Sequence, residues 1–552
     1  MTNFSSFKRE KTIQSLREEH FDVLVIGGGI TGAGIALDAK HRGLRTGLVE
    51  MQDFAAGTSS RSTKLVHGGL RYLAQFEIKL VADVGKERKI VYENGPHVTT
   101  PEWMMLPFYK GGTFGPFSTN IGLRVYDFLA GVKKSERRKM LSATEALQRE
   151  PLLQKNQLKG AGYYVEYKTD DARLTLEVLK KAVELGVVAA NYTKVTEFIY
   201  EEGKIASVLV EDTVNKETFQ IRADKVINAT GPWVDELREL DGSKHGKTLH
   251  LTKGVHLVFS QKDFPLHQAI YFDSQDKRMI FSIPRGDKTY VGTTDTFYED
   301  DIVHPTVTKE DRDYILNAVH YMFPSLEITE EQIDSSWAGL RPLISEEGKN
   351  PSEISRKDEI FTSDSGLYSI AGGKLTGYRK MAEEVVDAVT AEMKKEQGVI
   401  ISKESTVHVP ISGGDVGGSK GFATFKKTKQ MEGKALGIKE SDVEYLIQLY
   451  GSNVDKVFAL FEEHQSLAET EKVEPVVFAM LQYALRYELA YKPVDFFIRR
   501  TGGLFFHYDW VVEHKDAVIA YMAKALDWTE EQKATFEEEL NTLLYKAKHV
   551  DA

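Results

Sequence analysis

Gly27, Gly29 and Gly32 stand at the one-three-six spacing of a phosphate-binding turn, directly after Asp22-Val23-Leu24-Val25-Ile26, an apolar run of strand length. The first glycine permits the tight turn, the second lets a pyrophosphate approach the backbone, and the third lets the following helix pack on the strand. Gly28 and Thr31 belong to the same turn, and the helix after it aims unpaired amides and its positive dipole end at bound phosphates. Glu50 closes the next strand, Thr46-Gly47-Leu48-Val49, at the distance where a carboxylate accepts hydrogen bonds from an adenosine ribose and repels a 2′-phosphate. These residues therefore capture a dinucleotide other than NADP. The motif alone leaves NAD and FAD both open.

Two later stretches return to the same ligand. A hydroxyl-rich loop with Thr58, Ser59, Ser60 and Lys64 suits a diphosphate, and it runs through Leu65 into His67-Gly68-Gly69-Leu70-Arg71-Tyr72. A strand over residues 224–229 breaks at Ala229-Thr230-Gly231-Pro232-Trp233, a second strand-to-glycine turn of a kind commoner with FAD than with NAD. Val195, ending a strand over 187–195, joins the cofactor set. Last, a strand enters Gly372-Gly373, and a helix opening near Lys374-Leu375-Thr376 leaves it with apolar positions at Met381, Val385, Val389 and Met393. The pyrimidine end of a flavin gains negative charge on reduction, and a helix start would stabilise it.

The elements that must hold these groups follow from periodicity. Residues 31–41 read as a helix ended by Gly43, residues 170–185 as another capped by Gly186, and residues 198–222 as an antiparallel meander. Residues 247–300 alternate like strands and suggest an inserted antiparallel sheet, roofing the cofactor and carrying Lys253 and Arg285. A helix over 309–322 precedes Trp337-Ala338-Gly339-Leu340-Arg341-Pro342-Leu343. The expected fold class is α/β: a dinucleotide-binding domain over 21–400, with an interleaved substrate layer at roughly 75–165 and 245–340. Residues 1–20 read as a solvated arm without chemistry, and 401–552 as a separate all-helical domain without a catalytic constellation.

A chain of 552 residues exceeds one core, and its 41% hydrophobic and 28% charged composition is that of a globular protein. A net charge of −11 argues against a nucleic-acid partner that works by phosphate neutralisation. With no cysteine, disulfides, thiolate catalysis and thiolate-bound metals are excluded, and no metal site is expected. The polar first twenty residues lack a secretory pattern and no run reaches the ~20 apolar residues of a membrane span, so a cytoplasmic location is expected, with any membrane contact peripheral. Residues 121–140 join an apolar helical face to Lys133, Lys134, Arg137, Arg138 and Lys139, a pairing suited to anionic lipid.

With HGGLRYL, NATGPW, AGLRPL and GGKLTGYRK in this order, the chain resembles the FAD-dependent glycerol-3-phosphate dehydrogenase and oxidase family from about Phe21 through the helical domain. The resemblance implies a glutathione-reductase-type FAD fold with an antiparallel substrate layer, and oxidation of sn-glycerol 3-phosphate to dihydroxyacetone phosphate. Family oxidases, which reduce oxygen to peroxide, usually carry an insert where this chain has only the segment between Arg356 and Gly366. The chain thus looks more like the dehydrogenases, which lie peripherally on the inner face of the membrane and pass electrons to quinone. A homodimer stays open, as do an oxygen-using oxidase, an amine or hydroxy-acid oxidase on the same fold, and a non-catalytic flavoprotein sensor or scaffold.

The implied substrate carries roughly −1.5 to −2 charges near neutrality, so its cavity must concentrate cations. Arg71, Tyr72, Lys253, Arg285, Arg356 and Lys374 are the substrate-binding candidates, arginine gripping phosphate in two-point geometry. Removing a hydride from the second carbon requires a base, or a cation beside the departing hydroxyl proton. His67, whose imidazole ordinarily titrates near ~6.5, is the candidate base. Arg341 is its rival as stabiliser of the oxyanion.

Overall fold

The computed structural model describes residues 4–67, 78–129, 136–346, 358–398 and 400–550. Arg71, Tyr72, Lys133, Lys134 and Arg356 lie outside the described residues. In the strand His20–Ile26, Val23 and Val25 pack with one cluster while Leu24 and Ile26 pack with another, so both faces of the sheet are covered and the apolar run is continuous. Spatially the strands run Glu359–Thr362, Leu367–Ala371, Glu217–Asn228, His20–Ile26, Thr46–Val49 and Val188–Ala190, all parallel except the first pair. Helices Ile30–His41, Asp171–Glu184 and Tyr378–Gln397 cover one face, and the hairpin Thr193–Glu201 with Lys204–Asp212 covers the other. The strand expected over 224–229 is the second half of Glu217–Asn228, whose first half completes the meander. One strand thus ties both faces together.

The inserted layer is a ten-stranded sheet, antiparallel except where Ala269–Asp273 runs parallel to Thr99–Tyr109. Its longest pairing joins Lys247–Ser260 to Ile333–Glu346, which brings Gly254 opposite Gly339 and sets Arg341 beside Thr252. Helix Lys309–Met322, closed by a capping box between Thr308 and Asp311, buries Ile315, Val319 and Met322 against the back of this sheet.

The C-terminal part is all-helical, as expected, and beyond expectation it shares a core with the sheet. Met104, Tyr290 and Trp337 of the sheet share one apolar cluster with Tyr450, Phe478 and Phe505. Arg173, fully buried, bonds both Glu177 on its own helix and Glu488 of the C-terminal helices. The N-terminal arm also departs from expectation. Helix Arg9–Glu18 and the turn before it bury Phe4, Ile13 and Leu16, each contributing roughly 1.5–3 kcal/mol of apolar burial. Arg9 donates to Asp212 (2.6 Å) and to the Asn191 carbonyl (2.8 Å), and Ser6 to the Ala490 carbonyl, so the arm staples the meander to the helices. Its polar composition reads as solvation because these partners lie some two hundred residues or more away.

Candidate active site

The turn after His20–Ile26 is built by close approach. A Cβ on Gly32 would lie 1.9 Å from the Gly27 carbonyl oxygen, and one on Gly27 would lie 2.5 Å from that of Ala229. Gly27 is also at φ +113°, a left-handed value. The two strand-to-glycine turns therefore abut. Gly28 N–H donates to Glu50 Oε2 (2.7 Å) and Gln52 N–H to Glu50 Oε1 (2.8 Å), which fixes the carboxylate although burial raises its pKa. Ser59 Oγ accepts from Ile30 N–H (2.9 Å) at the helix start, and Thr58 Oγ1 donates to the Leu340 carbonyl (2.7 Å).

These residues enclose a cavity of about 480 Å³, running from Glu50 and Val195 past Gly27, Gly29, Thr31, Ala229 and Gly231 to Gly373, Lys374 and Leu375. The glycine cradles, the fixed acid and this span fit an extended dinucleotide with adenosine at the Glu50 end. Ser60 and Lys64 do not line it. Lys64 Nζ is buried against Asp171 (2.5 Å) and the Ser60 carbonyl (2.9 Å), so the lysine expected at a diphosphate instead neutralises an interior acid.

A second cavity of about 310 Å³ opens from the first between the turn at 372–376 and the antiparallel sheet. Thr58, Ser62, Pro342, Gly373, Lys374 and Leu375 border both. His67, Arg341, Lys374 and Thr376, together with Leu65, line the second one. His67 N–H donates to Thr376 Oγ1 (3.1 Å), and that hydroxyl donates back to the His67 carbonyl (3.2 Å), tying the histidine to the cofactor turn. Burial, reinforced by Lys374 and Arg88, pushes the His67 imidazole down to about 3, so in this cavity it is neutral at physiological pH and not poised near 6.5. The residue as a whole is half-buried and lines the cavity.

Arg341 is held as a fork. Nη2 donates to Thr293 Oγ1 (2.8 Å), and Nη1 to the Thr294 carbonyl (3.2 Å) and Asp295 Oδ1 (3.3 Å). Space for it comes from Gly254, where a Cβ would lie 2.2 Å from Nη2. Two other expected cations are elsewhere. Lys253 Nζ is buried against Asp311 (2.6 Å), and Arg285 lies on Asp170 (3.0 Å) and over the Phe506 ring (4.4 Å). Neither lines the cavity.

The sequence reading missed His256, Arg278, Tyr271 and Asp295, which do line it. His256 stacks on Trp337 (4.7 Å, 13°) with Nε2 3.1 Å from Thr63 Oγ1, and burial beside Arg341 keeps it neutral. A Cβ on Gly292 would meet its ring at 2.2 Å. The available signal was glycine inside strands, at 254, 292 and 339, which marks close approach by a side chain or ligand.

A dinucleotide channel opening onto a cationic chamber beside an antiparallel sheet is the arrangement of a flavin-type oxidoreductase. A family model described as FAD dependent oxidoreductase matches residues 22–378, and one described as the C-terminal domain of alpha-glycerophosphate oxidase matches 404–533. The aerobic glycerol-3-phosphate dehydrogenase of Bacillus subtilis (strain 168) is 60% identical over 99% of this chain and 98% of its own length. That of Staphylococcus haemolyticus is 55% identical over 98% of each. The crystal structure of glycerol-3-phosphate dehydrogenase from Bacillus halodurans, complexed with FAD, superposes with a TM-score of 0.86 at 51% identity, covering 99% of both chains. L-alpha-glycerophosphate oxidase from Mycoplasma pneumoniae shares the fold at 19% identity and a TM-score of 0.55, over 70% of this chain and 97% of its own. The chain belongs to the FAD-dependent glycerol-3-phosphate dehydrogenase family.

Proposed function

We propose that the protein oxidises sn-glycerol 3-phosphate to dihydroxyacetone phosphate with FAD in the first cavity and substrate in the second. The observation that carries this reading is that His67, Arg341 and Lys374, from segments far apart in the chain, line one chamber opening onto the dinucleotide channel. FAD, when bound, supplies the hydride acceptor. Gly27, Gly29, Thr31, Thr58 and Ser59 would hold its pyrophosphate, with Gly32 letting the helix start close on the turn; Glu50 would hold the ribose, and the 372–376 turn would border the ring.

Lys374 and Arg341 give the chamber its positive field and attract the phosphomonoester. The Arg341 fork, already satisfied by Thr293 and Asp295, needs no reorganisation to stabilise oxyanion character at the second carbon. An imidazole nitrogen of His67 receives the hydroxyl proton, and the substrate's negative charge raises its basicity when it is needed. Anaerobic addition of glycerol 3-phosphate bleaches the flavin absorbance on this reading; an unchanged spectrum sinks it. Reoxidation by a soluble quinone rather than by oxygen then assigns the acceptor as quinone, whereas rapid peroxide formation makes the protein an oxidase.

Quinone as acceptor implies contact with a membrane. Among the described residues no helix is long and apolar enough to cross one. Peripheral contact is supported by helix Pro116–Leu129, where Phe117 (79% exposed) and Ile121 (49%) stand one turn apart with exposed Arg124.

A further inference from the structure

One wall of the first cavity is a loop that starts at the Glu50 end, with residues 50–52 and 56–59 lining the space. Asp53, in its middle, points the other way and is 1% exposed. Its carboxylate accepts from Arg500 Nη1 (2.7 Å) and Nη2 (2.9 Å), from Arg499 Nε, and from Asn191 Nδ2 (2.9 Å). Both arginines come from the C-terminal helical region. Arg499 also bonds Asp495 (2.6 Å), and Arg500 also donates to the Glu488 carbonyl (2.8 Å), so each guanidinium is itself held. Burial alone would raise the Asp53 carboxyl, but the Arg500 and Arg499 charges hold it well below the usual range.

The backbone shows why two adjacent arginines reach one acid. Asp495–Arg500 is wound as a π-helix, whose wider turn rotates successive side chains through a smaller angle than an α-helix does. The next turn of the wall is fastened as well, since Ala55 N–H donates to the Gly28 carbonyl (3.0 Å), inside the phosphate turn. Asp53 is thus the link between a rigid helical body and the loop that shapes the adenosine site.

We propose that Arg499 and Arg500 are positioning residues for the cofactor: through Asp53, the C-terminal helices hold the 50–59 wall in the shape that retains FAD. The pair touches neither substrate nor the second cavity, so it sets how tightly FAD is kept and not how fast bound FAD is reduced. The inference rests on FAD as cofactor and not on the identity of the substrate. A protein that binds FAD but is not bleached by glycerol 3-phosphate refutes the proposed function and leaves this one standing.

The test compares Arg500→Met and Arg499→Lys with Gln448→Ala, which removes a hydrogen bond from the C-terminal helices to the His97 carbonyl without touching Asp53 or its partners. Apoprotein of each is titrated with FAD by fluorescence, and apo and holo unfolding midpoints are recorded. The expected result for the first two is an FAD Kd raised roughly tenfold or more. The upward shift of the midpoint on adding FAD shrinks, while kcat per bound flavin at saturating FAD stays within about twofold. For Gln448→Ala both midpoints fall together and the Kd is unchanged. Kd values within twofold of the parent for both Arg499→Lys and Arg500→Met overturn the proposal, as does equal loosening by Gln448→Ala. If Arg500→Met does not fold, the milder Arg499→Lys, which keeps the charge, and Asp53→Asn decide on the same Kd.

Discussion

Gly254→Ala separates the position of Arg341 from its charge. Gly254 is not in the left-handed region, so its backbone accepts alanine. The added methyl, however, would sit 2.2 Å from Nη2 and 2.7 Å from Cζ of Arg341, and 2.5 Å from Thr293 Oγ1. Restoring ordinary contact moves the guanidinium by roughly 1 Å and breaks the fork that holds it. Misplacement on that scale at a reacting centre costs ~10²-fold, or about 2.7 kcal/mol of transition-state stabilisation. The assay is kcat/KM for glycerol 3-phosphate on protein whose flavin content and unfolding midpoint match the parent. A variant within threefold of the parent refutes the reasoning, because it means that Arg341 either lies off the reaction path or relaxes without loss.

Three further outcomes follow from the same geometry. His67, held near 3 in the folded state against an ordinary value near 6.5, binds fewer protons folded than unfolded between those limits. Its contribution to stability is therefore complete above pH 6.5 and lost as pH falls toward 3; His67→Gln should flatten the acid limb of a midpoint-versus-pH curve, and identical curves would contradict the burial. Lys64→Met leaves the fully buried Asp171 uncompensated and should cost about 3–5 kcal/mol in urea unfolding with flavin per folded protein unchanged, whereas flavin loss would return Lys64 to the cofactor site. Replacing Phe117 and Ile121 by serine should abolish co-flotation with anionic vesicles while leaving turnover with a soluble quinone intact; unchanged flotation would move the membrane face elsewhere.

What could be read from the sequence was local backbone geometry. The turns at 27–32, 229–231 and 372–376 demand particular residues within a few positions of each other, and their order along the chain identified a cofactor channel. Arg341 and Lys374 were legible for the same reason, lying within or beside such motifs. Lys64, Lys253 and Arg285 were misread because a cation's availability depends on whether an acid reaches it. Asp171 is 107 residues from Lys64, and Asp170 is 115 from Arg285. His256 was legible only indirectly, since its environment is made by an absence of side chain at Gly292 across the sheet. The C-terminal helical domain was legible in its own periodicity; its shared core with Met104 and Trp337 is a property of tertiary contact alone.

The five-residue turn at 372–376 forms part of the boundary of both chambers. Engineering a new alcohol into this scaffold is therefore a one-sided problem. Changes on the turn touch both chambers at once, whereas Tyr271, Arg278 and Phe281 on the facing sheet border only the second.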